Sequence, residues 1–322
     1  MRTICAVLLG AVALAFSIGA SAQDAFPSKP IKMLVVYPPG GGGDILARTL
    51  SEAVSKLAGQ PMVVENRPGA GGMIGTAACK NAAADGYTYC MVLSDIVTIN
   101  HHIFKKVPYD VDRDLRPVAS IASVPVVVFV NKSNPANNMR DFAAYSRQNK
   151  GKVNWASWGM GTSAHIFMAH YNKAQDADFT HVPYQGVPQI LNAVLSNEVD
   201  SSMVLYGPLA QYLEKGEIKP IGVLAEKRLK QLPNVPTVNE QGLNFSPTLW
   251  YGIFAPAATP NAIVERMNSI FNTAMADPAV AKFLDGQGFS PLPDSPKGFG
   301  ERVKKDRDGW GPVAKSLNLA LD

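Results

Sequence analysis

The chain is 322 residues long, 47% hydrophobic and 17% charged, with 30 Lys and Arg against 26 Asp and Glu. Such a chain buries a large core, is long enough for two lobes and is not disordered. A formal net charge of +4 at pH 7, scattered along the sequence, excludes a nucleic-acid-binding surface. The first residues carry Arg2, an apolar run from Ile4 to Ile18, and then Ala20-Ser21-Ala22, the small residues a signal peptidase requires. This predicts a secretory signal peptide over residues 1–22, a mature chain from Gln23 and an exported, periplasmic protein. The apolar run is short for a bilayer span, and Cys5 lies too early for a lipid-attachment site. Cleavage leaves 29 basic against 26 acidic side chains and two cysteines, Cys79 and Cys90. In an oxidising compartment these could pair, one being late in a helical stretch and the other in the next strand; the alternative is two buried thiols.

After the leader, Ile31–Tyr37 reads as a strand and Asp44–Leu57 as an amphipathic helix with Ile45, Leu46, Leu50, Val54 and Leu57 as its buried stripe. Between them stand Pro38, Pro39 and four consecutive glycines, Gly40 to Gly43. Without side chains their backbone N–H groups can face a ligand, and the helix beginning near Asp44 adds partial positive charge, so this loop is suited to an anion. It has neither a Walker A ending nor G-x-G-x-x-G spacing, so a nucleotide phosphate is not indicated. A second strand, Pro61–Glu65, enters another glycine loop, Asn66-Arg67-Pro68-Gly69-Ala70-Gly71-Gly72, and a helix through Ala83. A turn at Asp85-Gly86 leads to a third strand, Tyr87–Leu93. Strands alternating with helices predict an open α/β sheet, with ligands at the carboxyl ends of its parallel strands: Pro38–Asp44, Asn66–Gly72 and Ser94–Thr98.

A polar, proline-bounded segment, Lys106–Arg116, precedes Val124–Asn131, a buried strand that leaves the first lobe. The second lobe repeats the opening device. Lys152–Ser157 is a strand, Trp158 to Ser163 a glycine and hydroxyl loop, and Ala164–Ala174 a helix. A further strand ends at His181 to Gly186, Pro188–Ser196 is a helix, and Val199–Leu205 leads to Tyr206-Gly207-Pro208. After Ile221–Ala225 and a proline-punctuated loop, Leu232–Gly242, the chain returns to the first lobe. There Trp250–Ala255 is a strand, and Pro260–Met275, Pro278–Leu284 and Pro296–Leu317 are helices. The expected lobes are 23–124 with 249–322, and 125–248. Two crossings, near Val124–Asn131 and Leu249–Ala255, form a two-stranded hinge that permits closure.

Enzyme signatures are weak. Gly69-Ala70-Gly71 with Gly75 follows a strand but has the wrong spacing for a dinucleotide, and no G-x-S-x-G, H-E-x-x-H or Cys-x-x-Cys occurs. The five histidines form no metal set, and no cofactor is expected. His165 with Ser157 or Ser163 could imitate a periplasmic hydrolase of a small ester, the alternative reading, although no third member is evident.

The stretches YPPGGGGDILAR, VVENRPGAGGMIG, ADGYT, VPYDVDRDLRPVA, WASWGMGTSAH, FTHVPYQG and LPNVPTVNEQG occur in one order. Together they resemble the extracytoplasmic receptors of tripartite tricarboxylate transporters, the TctC or Bug family, over nearly the whole mature chain. The resemblance implies an α/β, two-lobed periplasmic binding protein of type II, a Venus flytrap that clasps a carboxylated solute. It implies further that the solute passes to membrane permease subunits, and that the receptor is a monomer without a cofactor. The first cradle then corresponds to Pro38 through Asp44 with Tyr37, the second to Ser157, Trp158, Gly159, Gly161, Thr162 and Ser163 with His165. Ser94 caps the third strand end. The chain departs from the family pattern at Trp155, at Trp158 and at Tyr206, the last at the expected cleft edge beside Tyr184.

An aromatic ring at Trp158, in a glycine loop, favours a flat solute by about 0.5–1.5 kcal/mol beyond area burial. Hence the sharpest expectation is an aromatic dicarboxylate such as terephthalate, one carboxylate on the amides of Gly40–Gly43 and the other on the Trp158–Ser163 loop. Thr162 and Ser163 could donate to that carboxylate or cap the helix. Asp44 and Asp95 would repel a carboxylate, so they are expected to bond loop amides.

Overall fold

A computed structural model describes residues 26–245 and 249–317, so the expected signal peptide lies outside the described residues. The first strand, β1 (Ile31–Val35), has only Lys32 exposed, as expected of a central strand covered on both faces. Helix α1 (Gly42–Ala58) begins two residues before Asp44, so Gly42 and Gly43 belong to its first turn rather than to the loop. Its buried line is Leu46, Ala47, Leu50, Ala53 and Val54. Ile45 and Leu57, expected in that stripe, are 44% and 47% exposed: Ile45 stands about 100° round the helix from Leu46, and Leu57 lies in the last turn. Gly59 ends the helix with φ 70° and gives its N–H to Ser55 O at 3.1 Å.

Strand β2 (Met62–Asn66) lies beside β1 at the sheet edge, and a 3-10 turn over Ala70–Gly72 leads into α2 (Met73–Lys80). Strand β3 (Thr88–Leu93) pairs parallel to β1 on its other side. Cys79 and Cys90 form a disulfide, with Cα atoms 5.9 Å apart, that ties α2 to β3. Short helices α3 (Ser94–Thr98), α4 (Asn100–Ile103) and α5 (Val111–Asp114) precede β4 (Leu115–Val124). The sequence reading has no strand at β4, because Pro117 and the small residues Ala119, Ser120, Ala122 and Ser123 hide it. Pro117 is tolerated where the register against the neighbouring strand shifts.

Only Pro125 separates β4 from β5 (Val126–Asn131), yet the two strands belong to different sheets. The second lobe adds α6 (Met139–Gln148), β6 (Val153–Ser157), α7 (Ser163–Gln175), β7 (Phe179–Pro183), α8 (Val187–Leu195), β8 (Ser201–Leu205), α9 (Tyr206–Glu214) and β9 (Ile218–Leu224). The return to the first sheet runs between Phe245 and Leu249. There follow β10 (Leu249–Pro256), α10 (Asn261–Ala274), α11 (Pro278–Gly286), β11 (Ser290–Pro291) and α12 (Pro296–Ser316).

The first sheet has the order β11-β4-β10-β3-β1-β2 and the second β7-β6-β8-β5-β9. In each, three parallel strands with the earliest in the middle (β3-β1-β2 and β8-β6-β7) meet an antiparallel strand, β10 or β5. The repeated loop-and-helix device of the sequence is therefore a repeated topology. It sets the loops after β1, β2 and β3 and the loop after β6 at carboxyl strand ends, where open α/β sheets hold ligands. Trp155, buried against Phe167, Tyr171 and Phe179, anchors β6 in the second core.

Candidate functional site

A cavity of about 290 Å³ lies between the lobes. The second lobe supplies Trp158, Gly159, Met160, Gly161 and Thr162; the first supplies Ala70 and Gly71 of the turn after β2, Met73 at the start of α2, Asp95, Asn100 and Phe104. Among the described residues no lysine or arginine lines it, so an anion there would rest on backbone amides, hydroxyls and helix ends. A larger hollow of about 520 Å³ lies beside the hinge around Pro125, Arg228 and Phe289, but it receives none of the loops after β1, β2, β3 and β6.

The cavity borrows the second glycine loop, not the first. Gly40 N–H, expected to face the solute, donates to Asp44 Oδ2 at 2.9 Å, while Asn66 Nδ2 donates to Asp44 Oδ1 at 2.8 Å and Arg48 pairs with the same carboxylate. The Pro38–Asp44 loop is thus folded onto its own buried carboxylate, as expected for Asp44. Burial pushes the Asp44 carboxyl up, but the bonds from Arg48, Gly40 and Asn66 outweigh it and hold the group below its ordinary value. Leu93 N–H donates to Tyr37 Oη, so the Tyr37 ring spans the ends of β1 and β3, edge-on to Tyr251. A Cβ on Gly43 would come within 2.9 Å of that ring and 3.0 Å of Tyr251 Oη. Pro38, Pro39, Gly41 and Gly42 likewise stay out of the cavity wall.

The turn that does line it has four successive residues with positive φ: Gly69 at 125°, Ala70 at 46°, Gly71 at 59° and Gly72 at 88°. Gly72 N–H and Ile74 N–H donate to Gly69 O, at 3.0 and 3.5 Å, and Met73 N–H donates to Ala70 O, so the amides this turn can offer an anion are those of Ala70 and Gly71. A Cβ on Gly71 would meet nothing within 4 Å, so the main chain there borders open space, whereas one on Gly72 would strike Ile96 Cδ1 at 2.3 Å. This turn belongs to the Asn66–Gly72 strand end that the sequence marks as a place for a ligand.

The second-lobe loop matches the sequence expectation in place but not in hydrogen bonding. Thr162 is at the N-cap position of α7, yet its hydroxyl donates to Gly159 O at 2.8 Å instead of capping. Gly159 and Gly161 hold φ of 138° and 73°. Gly161 N–H donates to His165 Nδ1 at 3.1 Å, and His165, 6% exposed, stacks on His181 with centroids 3.9 Å apart and planes 7° from parallel. His165 therefore shapes the loop from behind. Ser157 is fully buried. Its hydroxyl lies 2.6 Å from His181 Nε2 and 2.9 Å from Gly159 O, and it accepts from Gly159 N–H at 3.2 Å. These contacts close if His181 Nε2–H donates to Ser157 and Ser157 donates to Gly159 O; that tautomer leaves His181 Nε2 no lone pair for a serine proton. The serine–histidine pair is an internal brace.

Other candidates lie elsewhere. Ser94 Oγ accepts from Trp250 N–H at 3.3 Å, joining α3 to β10. Tyr184 donates to Glu198 Oε1 at 2.8 Å and packs on the second-lobe apolar cluster that holds Tyr206, the latter beside Gly288 of the first lobe. None of these three lines the cavity.

Asp95 decides the character of the site. It belongs to α3 of the first lobe and is 6% exposed. Across the cleft the Ser163 hydroxyl stands 3.5 Å from its Oδ2, and Ser163 N–H and the Trp158 side chain also favour its ionised form. Ser163 opens the 13-residue helix α7, whose first turn holds no acidic residue of its own, so Asp95 supplies the negative charge that a helix N-terminus favours. Burial pushes the carboxyl up to about 6, against the pull of these donors.

Two α/β lobes of like topology, joined by strands and enclosing a small cavity walled by glycine loops, define a two-lobed solute-binding protein. The model of the tripartite tricarboxylate transporter family receptor, TctC, matches residues 46–319, and the chain belongs to this family. Its relatives include the protein BugT of Bordetella pertussis, 30% identical over 92% of this chain and 92% of that protein. Among solved structures, the periplasmic binding protein BugD is 28% identical with a TM-score of 0.84, covering 92% of this chain and 99% of that one. Rpa4515 of R. palustris, solved with adipate, is 28% identical over 92% and 99%, with a TM-score of 0.86. MatC of Rhodopseudomonas palustris, solved with malate, is 28% identical over 90% and 100%, with a TM-score of 0.82.

Proposed function

We propose that this chain is an exported, periplasmic receptor, not an enzyme, that takes a small carboxylated organic anion between its lobes and delivers it to the permease subunits of a tripartite tricarboxylate transporter. It works as a monomer of lobes 23–124 with 249–322 and 125–248. The carrying observation is a cavity between the lobes whose polar wall is made of main-chain turns, a helix N-terminus, Asn100 and Asp95, with no cationic side chain among the described residues, so that an anion there is held by oriented dipoles. Structural relatives solved with adipate and malate support a carboxylate. The apolar wall of Trp158, Phe104, Met73 and Met160 suits a flat body, so the aromatic part of the terephthalate expectation is retained. Bridging both lobes, the solute favours the closed form, which the permease reads.

The test is a thermal-shift screen of the mature protein against aliphatic and aromatic carboxylates, with amino acids and a chromogenic ester as controls. A ligand at about 100 times its Kd adds roughly 2.7 kcal/mol and moves the midpoint by several degrees. Carboxylates should shift it and the ester should stay intact; ester turnover, or no shift with any acid, sinks the receptor reading. Trp158→Ala should weaken aromatic acids more than aliphatic ones by about 0.5–1.5 kcal/mol, and an equal loss for both would remove the aromatic wall from the reading.

A further inference from the structure

We infer that Asp95 is a built-in second carboxylate: seated in the anion cradle of the second lobe, it makes the cavity select a solute with a single carboxylate and reject the matching dicarboxylate. This rests on the receptor reading above and narrows its solute class.

Asp95 Oδ2 lies 3.5 Å from the Ser163 hydroxyl, and Ser163 N–H and the Trp158 side chain also favour its ionised form. These groups stand on the second lobe, and they are the donors that a solute's far carboxylate would need. The remaining polar groups of that loop are engaged as well: Gly161 N–H with His165, and the Thr162 hydroxyl with Gly159 O. Among the described residues no lysine or arginine lines the wall to neutralise a second anion. A dicarboxylate entering here would bring a charge against Asp95 in a poorly hydrated space, where like charges repel strongly, or would have to displace Asp95 and leave it buried without partners. A solute with one carboxylate at the Ala70 and Gly71 amides and a neutral end toward Trp158 meets neither obstacle. Tyr37, Tyr109 and Tyr251 of the first lobe also face Asp95, and all three are phenols kept neutral by burial.

Calorimetric titration at pH 7.5 with two matched pairs, benzoate against terephthalate and hexanoate against adipate, reads this directly. In the wild-type protein the monoacid of whichever pair binds should be tighter by about tenfold or more. Asp95→Asn keeps the shape and an acceptor oxygen but drops the charge; it should cut that preference about tenfold, chiefly by improving the dicarboxylate. A dicarboxylate that binds the wild type more tightly than its monoacid overturns the inference and leaves the receptor reading standing. Silence with all four acids overturns both. The wild-type comparison alone is decisive if the variant is poorly folded, which its melting curve reports.

Discussion

Asp95 and His181 titrate in overlapping ranges with opposite consequences for stability. Burial raises the Asp95 carboxyl to about 6, above its ordinary range near 4, so the folded protein takes up this proton more readily than the unfolded chain. The stability linked to that group is present below pH 4 and lost as pH rises through 6. Burial first, and the neighbouring His165 second, lower His181 to about 4. Its contribution is present above the ordinary histidine value of about 6.5 and lost as pH falls through 4. Between pH 4 and 6 the two offset one another. Asp95→Asn should uncover the histidine: relative to the variant, the wild type is expected to be about 2 kcal/mol more favoured at pH 4.5 than at 7.5. Urea unfolding of both proteins across that range measures it, and parallel profiles would mean that Asp95 is not buried as described. The sequence marked Asp95 as a group that would avoid a solute carboxylate and bond loop amides. It could not show that the partners stand on a loop more than sixty residues away.

At the scale of elements, strand–glycine–helix units were readable because they combine short-range signals: a β-branched run, residues free to take positive φ, and a 3.6-residue apolar period. β4 was not readable, since its burial comes from β10 and α12 rather than from its own alternation. The 69–72 turn separates two costs usually measured together. Gly71→Ala asks for a left-handed residue in open space and should cost about 1–2 kcal/mol. Gly72→Ala adds collision with Ile96 and should lose clearly more, read as a larger fall in melting temperature. Equal losses would mean that Ile96 moves aside freely. The disulfide closing the chain between Cys79 and Cys90 should contribute about 3 kcal/mol by limiting the unfolded chain. Cys79→Ser with Cys90→Ser should therefore melt several degrees lower, and a reductant should lower the wild type to match; no change in either case would place the stabilisation elsewhere.

For the whole molecule, the sequence carried the division into two lobes because its motifs recur, one set per sheet, but it said little about what holds the lobes together. Besides the strand junction at Pro125, the return near Leu249 and the buried Asp95–Ser163 contact, the ties between them include two of contrasting character. One is polar and open: Lys230 lies 3.3 Å from Asp285, with side chains 83% and 72% exposed, and Gln231 Nε2 donates to Asp285 O at 2.7 Å. The other is apolar and closed: Trp310 of α12, 1% exposed, stands edge-on to Phe245 at 5.6 Å, and Phe245 packs in turn on Phe167 of the second core. Exposed ion pairs contribute about 0–1 kcal/mol, whereas truncating a buried tryptophan costs about 3–5 kcal/mol. The apolar tie should therefore dominate. Lys230→Ala should leave urea unfolding within about 1 kcal/mol of wild type and still a single transition. Trp310→Ala should lose several times as much and separate the unfolding of the lobes, seen as non-coincident transitions by tryptophan fluorescence and far-ultraviolet dichroism. Should Lys230→Ala prove the costlier change, the lobes are coupled through the hinge-side polar contacts, and the aromatic chain from Phe167 to Trp310 only fills space.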